Sequence, residues 1–258
     1  MPSLDEFVKM KMVCVDNREN DVINDASFKK FEHLDLINVG SDVRDNSESL
    51  VDALHGSDLV FIVANSDSIT DVSTITMIAE CCRDVGALTI GVITKPQAFN
   101  LFEWGKKSGL DIENLTQKVD TILAIPDEQL FSLVKSIYGL VSMPGVVNLD
   151  FADLRLILRD SGQALMGSAA SSGENAIENA CRAVLDSQPF NADFSKARRV
   201  LLNIASSNNN LEITEIFSAV GIVQEALHED ANMVFGATLD ESMLENVSVT
   251  FIATDFDD

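Results

Sequence analysis

A polar loop at residues 65–73 has the position of a phosphate-binding loop. The apolar run Val60–Ala64 leads into the loop Asn65–Ser73, and a helix-like run follows. In nucleotide-binding folds, glycines at this point let backbone N–H groups approach phosphates closely, some of them with positive φ. Asn65–Ser73 contains no glycine, and its β-branched residues Ile69 and Val72 resist such conformations. The loop therefore has the position of a phosphate cradle without the residues that make one.

The elements that would position this loop alternate between strand and helix. Near-continuous apolar runs predict strands at 11–15, 34–39, 59–64, 87–94 and 120–126. Helical patterns occur at 47–58, with Ser47 as N-cap, and at 74–86, closed by Gly86. Apolar strands separated by helices are typical of a parallel sheet covered on both faces. We therefore predict a parallel-sheet α/β domain at residues 1–126.

The second half has a different pattern, introduced by a long helix. Apolar residues recur at helical spacing over 127–143, and Pro144-Gly145 ends the run, so we assign 127–145 as a connecting segment. Helices are predicted at 150–162, 172–187 and 212–228, and strands at 198–206, 231–239 and 247–256. Ser171 and Glu174 have capping-box spacing at the start of the second of these helices. Three strands and three helices predict a smaller α+β domain at residues 146–258.

Composition and charge exclude several classes of function. The chain has 258 residues and a net charge of −23, from 41 acidic and 18 basic side chains. Binding to nucleic acid or directly to an anionic membrane needs a basic face, so we expect neither. The four cysteines and three histidines have no metal-ligand or disulfide spacing, so we predict no metal site and a reducing, cytoplasmic location. We recognise no signal peptide and no apolar run of about 18 residues.

Several stretches of the chain resemble FtsZ, the bacterial homologue of tubulin. The likeness is clearest in the second half, at 148–158 (NLDFADLRLIL), 164–184 (ALMGSAASSGENAIENACRAV), 198–206 and 230–256. In the first half, TIGVITKP at 89–96 and VDTILAIPDEQL at 119–130 are similar to the FtsZ N-terminal domain. The resemblance extends from about Lys9 to Phe256. It implies a tubulin/FtsZ-like α/β fold, with a Rossmann-like parallel-sheet N-terminal domain, a connecting helix and a smaller α+β C-terminal domain.

The resemblance also implies a role for the loop at 148–153. FtsZ-like proteins bind GTP on the N-terminal domain and polymerise head to tail into protofilaments, and acidic residues of one subunit act on the GTP of the next. The loop that does this reads N-x-D-F-A-D and stands intact here as Asn148, Asp150, Phe151, Ala152 and Asp153. By resemblance, Asn148, Asp150 and Asp153 form a catalytic loop that acts in trans. The alternative is a structural role, in which Asp150 caps the following helix.

The nucleotide side departs from the FtsZ pattern. FtsZ has glycines after its first strand and in a GGGTGTG signature, whereas the matching positions here are degenerate. They are Asp16, Asn17, Arg18, Glu19, Asn20, Asp21, Asp67, Ser68, Ile69, Thr70, Asp71, Val72 and Ser73, with Glu103 as a remnant on the ribose side. A carboxylate about 4–6 Å from a phosphate, at an effective dielectric of about 20, costs about 3–4 kcal/mol before salt screening. We therefore expect no bound nucleotide.

Two hypotheses follow, from different classes of function. In the first, the chain is a cell-division or cytoskeletal pseudo-GTPase that needs no cofactor and associates with FtsZ-type subunits, or with itself, through the 148–153 loop. In the second, it is a polymerising GTPase that binds GTP or GDP in a remodelled site, with Mg²⁺ offsetting the carboxylates. A sequence engineered to lack the site is a third interpretation. Nucleotide released on denaturation would distinguish the first two.

Overall fold

The chain divides into two compact units. The structure, a computed structural model, describes residues 7–15, 27–39, 47–67, 72–97, 99–186, 196–207 and 211–256. Unit 1 comprises residues 1–131 and 158–163, and unit 2 comprises residues 132–157 and 164–258.

Unit 1 contains five parallel strands in its described residues. They are β1 (Met10–Val15), β2 (Leu34–Val39), β3 (Leu59–Asn65), β4 (Leu88–Lys95) and β5 (Thr121–Pro126). Their order across the sheet is β2-β1-β3-β4-β5, and each neighbouring pair is parallel. All residues of β3 except the last are buried, because a central strand of a parallel sheet is covered on both faces. The prediction of a parallel sheet in the first half is confirmed.

Four α-helices accompany these strands in the described part of unit 1. They are α1 (Ser47–Leu54), α2 (Ser73–Asp84), α3 (Leu101–Ser108) and α4 (Ile112–Thr116), with 3₁₀ turns at Phe28–Lys30 and Asp127–Gln129. The apolar pattern predicts α1 and α2 but not the short helices α3 and α4. Side-chain caps start these two helices: Asn100 Oδ1 accepts from the N–H of Glu103, and Asp111 Oδ1 accepts from the N–H of Asn114, both at 3.0 Å.

Unit 2 contains a mixed sheet of five strands in its described residues. They are β6 (Gly145–Val147), β7 (Gly162–Ser172), β8 (Ala197–Ser206), β9 (Asn232–Leu239) and β10 (Asn246–Phe256). Their order is β7-β10-β8-β9-β6, in which only β8 and β9 are parallel neighbours. The helices are α5 (Leu130–Ser142), α6 (Phe151–Leu158), α7 (Ala176–Asp186) and α8 (Ile213–Glu225), with a 3₁₀ turn at Glu241–Met243. The first two residues of α5 and of β7 belong to unit 1.

The second half differs from its prediction at two helix ends and in its strands. The sequence predicts three strands, and β6 and β7 are additional. The predicted capping box is wrong, because Ser171 belongs to β7 and pairs with Val247 of β10, while the helix starts only at Ala176. Because β7 pairs with β10, its backbone N–H and C=O groups have hydrogen-bond partners, which the first N–H groups of a helix would lack. The helix predicted to reach 162 ends at Leu158, because Asp160 has a φ of 50°.

A chain of buried polar groups fixes α5 on the sheet of unit 2. Ser136 Oγ donates to Thr250 Oγ1 (2.8 Å), and Asn203 Nδ2 donates to the carbonyl oxygen of Ser136 (3.4 Å). Thr238 Oγ1 donates to Asn203 Oδ1 (3.3 Å). Asn203, Thr238 and Thr250 are each 3% exposed, so these bonds satisfy groups that water does not reach. They join α5 to β8, β9 and β10, and α5 leads directly into the 145–153 segment.

Candidate functional site

At the carboxyl edge of the unit 1 sheet, side chains at the strand ends bond to one another. Asn65, the last residue of β3, donates from Nδ2 to Asp127 Oδ1 (3.4 Å), just after β5. Asn65 Oδ1 accepts from the N–H of Asp67 (2.9 Å), and the N–H of Ser66 donates to the carbonyl oxygen of Thr94 in β4 (2.8 Å). Ligands of open parallel sheets bind at this edge. Its described part is instead cross-linked by the protein's own polar groups.

The structure describes four of the predicted nucleotide-binding residues, one in the turn after β3 and three at the starts of α2 and α3. Asp67 is exposed in the turn after β3, Val72 is the N-cap of α2, and Ser73 is its exposed first residue. Glu103 is exposed in the first turn of α3, where its N–H bonds to Asn100. Asp67 and Glu103 thus bond to neighbours within their own segments. Residues 16–21 (Asp16, Asn17, Arg18, Glu19, Asn20 and Asp21) and 68–71 (Ser68, Ile69, Thr70 and Asp71) lie outside the described residues.

The start of α2 differs from that of α3 in its capping. Val72 has no hydrogen-bonding side chain, so it cannot cap the helix, and the first turn of α2 contains no acidic residue. The first amides of a helix carry a partial positive charge, which carboxylates in the first turn normally offset. Among the described residues, the α2 start therefore has neither a side-chain cap nor a first-turn carboxylate to offset this charge, and its loop lacks the glycines of a phosphate cradle.

In unit 2, β6 leads into the 148–153 loop and ties it to the sheet. Gly145 lies opposite Thr238 of β9, and Val147 lies opposite Ala237. The strands are so close here that a Cβ atom on Gly145 would come nearer than 3.0 Å to the carbonyl oxygen of Ala237. Asn148 Nδ2 donates to the carbonyl oxygen of Gly145 (3.3 Å). The first residue of the loop is thus bonded back to the strand that precedes it.

Asp150 and Asp153 form a reciprocal cap at the start of α6. The N–H of Asp153 donates to Asp150 Oδ1 (2.9 Å), and the N–H of Asp150 donates to Asp153 Oδ2 (3.1 Å). This is the hydrogen-bond pattern of a capping box, with aspartate at both positions. The structural role considered for Asp150 is confirmed. Each carboxylate uses one oxygen in this cap, and Asp150 is exposed.

An arginine stacks on the aromatic residue of the same loop. The Arg155 guanidinium carbon lies 5.1 Å from the centroid of the Phe151 ring, one helical turn away, and both side chains are half-buried. The adjacent Leu156 is 56% exposed. Arg155 is not among the residues predicted from the sequence, although its i,i+4 spacing from an aromatic residue indicates such a contact. Residues 148–156 therefore include two capping carboxylates, a guanidinium and an exposed apolar side chain.

The cysteines provide no nucleophile to either site. All four are free and buried. Burial raises the pKa of the Cys14, Cys82 and Cys181 thiols to about 12 and also raises the pKa of Cys81. At neutral pH they are therefore thiols, which are poor nucleophiles and metal ligands. The part of the chain that the structure describes also contains no group of three or more His, Cys, Asp or Glu residues that could hold a metal ion.

Comparison with solved structures decides the fold. A single-substitution mutant of FtsZ from M. jannaschii matches with a TM-score of 0.83 at 22% identity, over 97% of this chain and 92% of that chain. The fold is the tubulin/FtsZ fold. An empty FtsZ dimer from M. jannaschii matches with a TM-score of 0.79 at 22% identity, over 95% and 88% of the two chains. CetZ2 from Haloferax volcanii, in a GTPgS-bound protofilament, has a TM-score of 0.64 at 12% identity, over 95% and 92%.

The sequence likeness to FtsZ is strongest in the C-terminal domain. Residues 162–257 match the sequence model of the FtsZ family, C-terminal domain, and these residues extend from the start of β7 to just beyond β10. The resemblance to FtsZ is thus confirmed in fold over nearly the whole chain and in sequence over this domain. The 148–153 loop precedes the matched residues.

Among the described helices, none has the length and apolar character needed to cross a membrane.

Proposed function

We propose that this chain is a cytoplasmic, FtsZ-like cytoskeletal or cell-division protein that acts as a pseudo-GTPase and associates with FtsZ-type filaments through its 148–153 loop. The observation that carries the proposal is that contacts within unit 2 hold this loop at both ends. It is tied to β9 through β6 at one end and capped by Asp150 and Asp153 at the other. A loop held at both ends presents its carboxylates in one geometry, which lowers the entropy lost when it binds a partner.

The unit 1 sheet edge supports the loss of nucleotide binding. Its predicted cradle contains no glycine between Asn65 and Ser73, and the Asn65–Asp127 hydrogen bond joins two strand ends at which a ligand would enter. Repulsion between phosphates and the carboxylates of the two degenerate loops acts in the same direction. A molecule that can dock onto the nucleotide of another subunit, but offers no nucleotide of its own, would end a filament at that point.

Asp150, Asp153 and Arg155 have distinct parts in this docking. The carboxylates accept hydrogen bonds or approach cations that the partner subunit supplies with its nucleotide. The Arg155 guanidinium, held against Phe151, attracts phosphate or carboxylate groups of the partner. Self-association is the second form of the same proposal, and the FtsZ dimer and CetZ2 protofilament among the matched structures support association as a property of this fold's relatives.

Co-sedimentation with an FtsZ that polymerises in GTP tests the proposal. We expect added protein to lower both the pelleted FtsZ and the rate of GTP turnover. Asp150→Asn keeps a residue that caps helices as well as aspartate does, but it removes the charge, so this variant should lose the effect while folding normally. The matched control is Asp186→Asn, which removes an exposed charge from α7 instead. No change in FtsZ pelleting or turnover at stoichiometric excess contradicts filament capping.

A remodelled GTPase is the second candidate, and the start of α2 favours it. The first turn of α2 has no acidic residue and its N-cap is Val72, so this helix end attracts an anion more than the α3 start does. Mg²⁺ bridging a phosphate and a carboxylate would reduce the repulsion. The purified protein is denatured and the supernatant is chromatographed. One guanine nucleotide per chain would overturn the pseudo-GTPase proposal, whereas its absence supports it.

A further inference from the structure

The sheet of unit 2 has one edge that is only partly covered. Among the described residues, β6 is the strand next to β9 on the side away from β8, and it pairs only with Ala237 and Thr238. The first five residues of β9, 232–236, therefore pair with β8 on one side and, in the described part of the chain, with no strand on the other. We call residues 232–236 the β9 edge. A strand edge of this kind exposes backbone N–H and C=O groups that can pair with another chain.

The backbone bonds at the end of β9 show which residues direct their polar groups to the open side. The N–H of Asp240 donates to the carbonyl oxygen of the last residue of β8 (2.9 Å), whereas the N–H of Leu239 donates to that of Pro144, just before β6 (2.9 Å). β9 pairs with β8 without a shift in register, and successive residues of a strand direct their N–H and C=O groups to opposite sides. The odd-numbered residues Met233 and Phe235 therefore direct theirs away from β8, to the open side.

Apolar side chains border the β9 edge. The Phe235 ring contacts the ring of Phe217 in α8, with centroids 5.9 Å apart, and Phe217 is 57% exposed. Ile213 lies one helical turn before Phe217 and is 55% exposed, so the two form one apolar strip along α8. The β9 edge has the sequence NMVFG, without the charged residues and prolines that keep most sheet edges from pairing.

The β9 edge lies directly beside the 148–153 loop. A Cβ atom on Gly236 would lie 3.5 Å from Leu149 Cγ and 3.4 Å from the carbonyl oxygen of Val147. The loop therefore contacts β9 at Gly236, and the open part of the edge extends from there to Asn232. A segment bound along the edge would lie next to the residues proposed to dock onto another subunit.

The geometry of the edge favours an extended, flexible chain as its occupant. The backbone groups of Met233 and Phe235 form a row of alternating donors and acceptors, which matches the backbone of another strand. Two copies of this chain paired edge to edge would share a strip about 17 Å long and about 10 Å wide, or about 170 Å² per copy. A stable complex of two folded proteins needs about 800 Å² per partner. A flexible segment, by contrast, can follow the edge and then turn onto the apolar strip of α8.

We propose that the β9 edge binds an extended segment of another protein, which adds to the unit 2 sheet as a strand. The backbone of this segment pairs with Met233 and Phe235, and its apolar side chains, at alternate positions, pack on the side chains of these two residues and of Phe217. This binding needs no nucleotide. It therefore does not depend on the docking proposed for the 148–153 loop.

Fluorescence anisotropy with the full chain, at about 150 mM salt, tests this proposal with two dye-labelled peptides. In the first, valine alternates with threonine over about eight residues, and a terminal lysine and glutamate keep the peptide soluble and neutral. In the second, two adjacent central residues are N-methylated, so that both edges of the peptide lose an N–H. We expect the first peptide to bind and the second to bind at least about tenfold more weakly. No binding of the first peptide at about 1 mM, or equal binding of the two, would overturn the proposal.

Substitutions at Met233 separate the backbone bond from the side-chain contact. Met233→Pro removes the methionine side chain together with the outward N–H, whereas Met233→Ala removes only the side chain beyond Cβ. Neither variant loses a bond to β8, because this N–H points away from that strand. We expect the proline variant to bind the valine–threonine peptide at least about fivefold more weakly than the alanine variant. Equal binding by the two variants would contradict strand addition at this edge.

A second pair of variants leaves the sheet backbone unchanged. Phe217→Gln removes the exposed ring from α8, and the control Leu244→Gln removes a 72% exposed apolar side chain that follows the other end of β9. We expect Phe217→Gln to bind the valine–threonine peptide about tenfold more weakly and Leu244→Gln to stay within about twofold of the parent. If the two variants bind equally, the peptide does not lie along the β9 edge and the proposal fails.

Discussion

Replacing Gly145 by alanine tests whether the contact between β6 and β9 holds the 148–153 loop. The added methyl group would come nearer than 3.0 Å to the carbonyl oxygen of Ala237, a backbone atom that cannot rotate away. The same position lies 3.1 Å from Asn148 Oδ1, so the side chain of the first loop residue would also have to shift. β6 pairs with β9 through only two residue pairs, so it has little pairing energy to resist separation. Overpacking of this kind costs about 1–3 kcal/mol, and we expect about 2 kcal/mol.

Urea unfolding monitored by circular dichroism, with hydrogen exchange of residues 148–158, measures both consequences. Gly145→Ala should lower the unfolding midpoint and speed exchange in the loop. The control is Gly221→Ala in α8, where a Cβ atom would meet nothing within 4 Å. This substitution should stabilise the helix by about 0.5–1 kcal/mol, because alanine has the higher helix propensity. If Gly145→Ala leaves both the midpoint and the loop exchange unchanged, the close strand contact does not position the loop.

Three further predictions follow from other contacts. Asp150→Ala should cost about 1 kcal/mol in urea unfolding and Asp150→Asn almost nothing, because only alanine removes the helix cap; equal losses would contradict the capping role. Burial opposes ionisation of Asp240, but hydrogen bonds from Lys135 and Ser242 outweigh it and hold the pKa of Asp240 below its usual value. Ionised Asp240 therefore stabilises the fold at pH values above its unfolded-state pKa, and this stabilisation is lost as the pH falls through the lowered folded-state pKa. Lys135→Met should therefore cost about 1–2 kcal/mol at pH 7, because the pair is partly exposed, and progressively less as the pH falls below about 4; a pH-independent loss would refute the ion pair. Burial raises the pKa of the Cys14, Cys82 and Cys181 thiols to about 12. Iodoacetamide at about pH 8 should therefore label the native protein slowly and the urea-unfolded protein fully.

The sequence predicts best those elements whose pattern comes from burial. β3 reads as an unbroken apolar run because both faces of the sheet are covered, and this alone indicates its type. β7 is not predicted, because its sequence GQALMGSAASS is rich in small and polar residues with little strand propensity. Its conformation comes from pairing with β10, a contact made across about 80 residues of sequence. The pattern of residues within β7 therefore cannot indicate a strand partner that lies so far away in the sequence.

The same distinction applies to the candidate sites. The N-x-D-F-A-D motif is local, so the sequence identifies the loop, and even the capping role of Asp150 can be stated beforehand. The bond from Asn65 to Asp127 joins residues 62 apart, and only the order of the parallel strands brings them to one edge.

The buried bonds of Ser136 decide where this chain can be divided for separate expression. A fragment starting at residue 146 would contain Asn203 and Thr250 but not Ser136, which bonds to both, and would expose to water the apolar sheet surface that α5 covers. Such a fragment should aggregate. Starting the fragment at about residue 130 retains α5 together with the strands it covers, so this longer piece is the one to make when the C-terminal half is wanted alone.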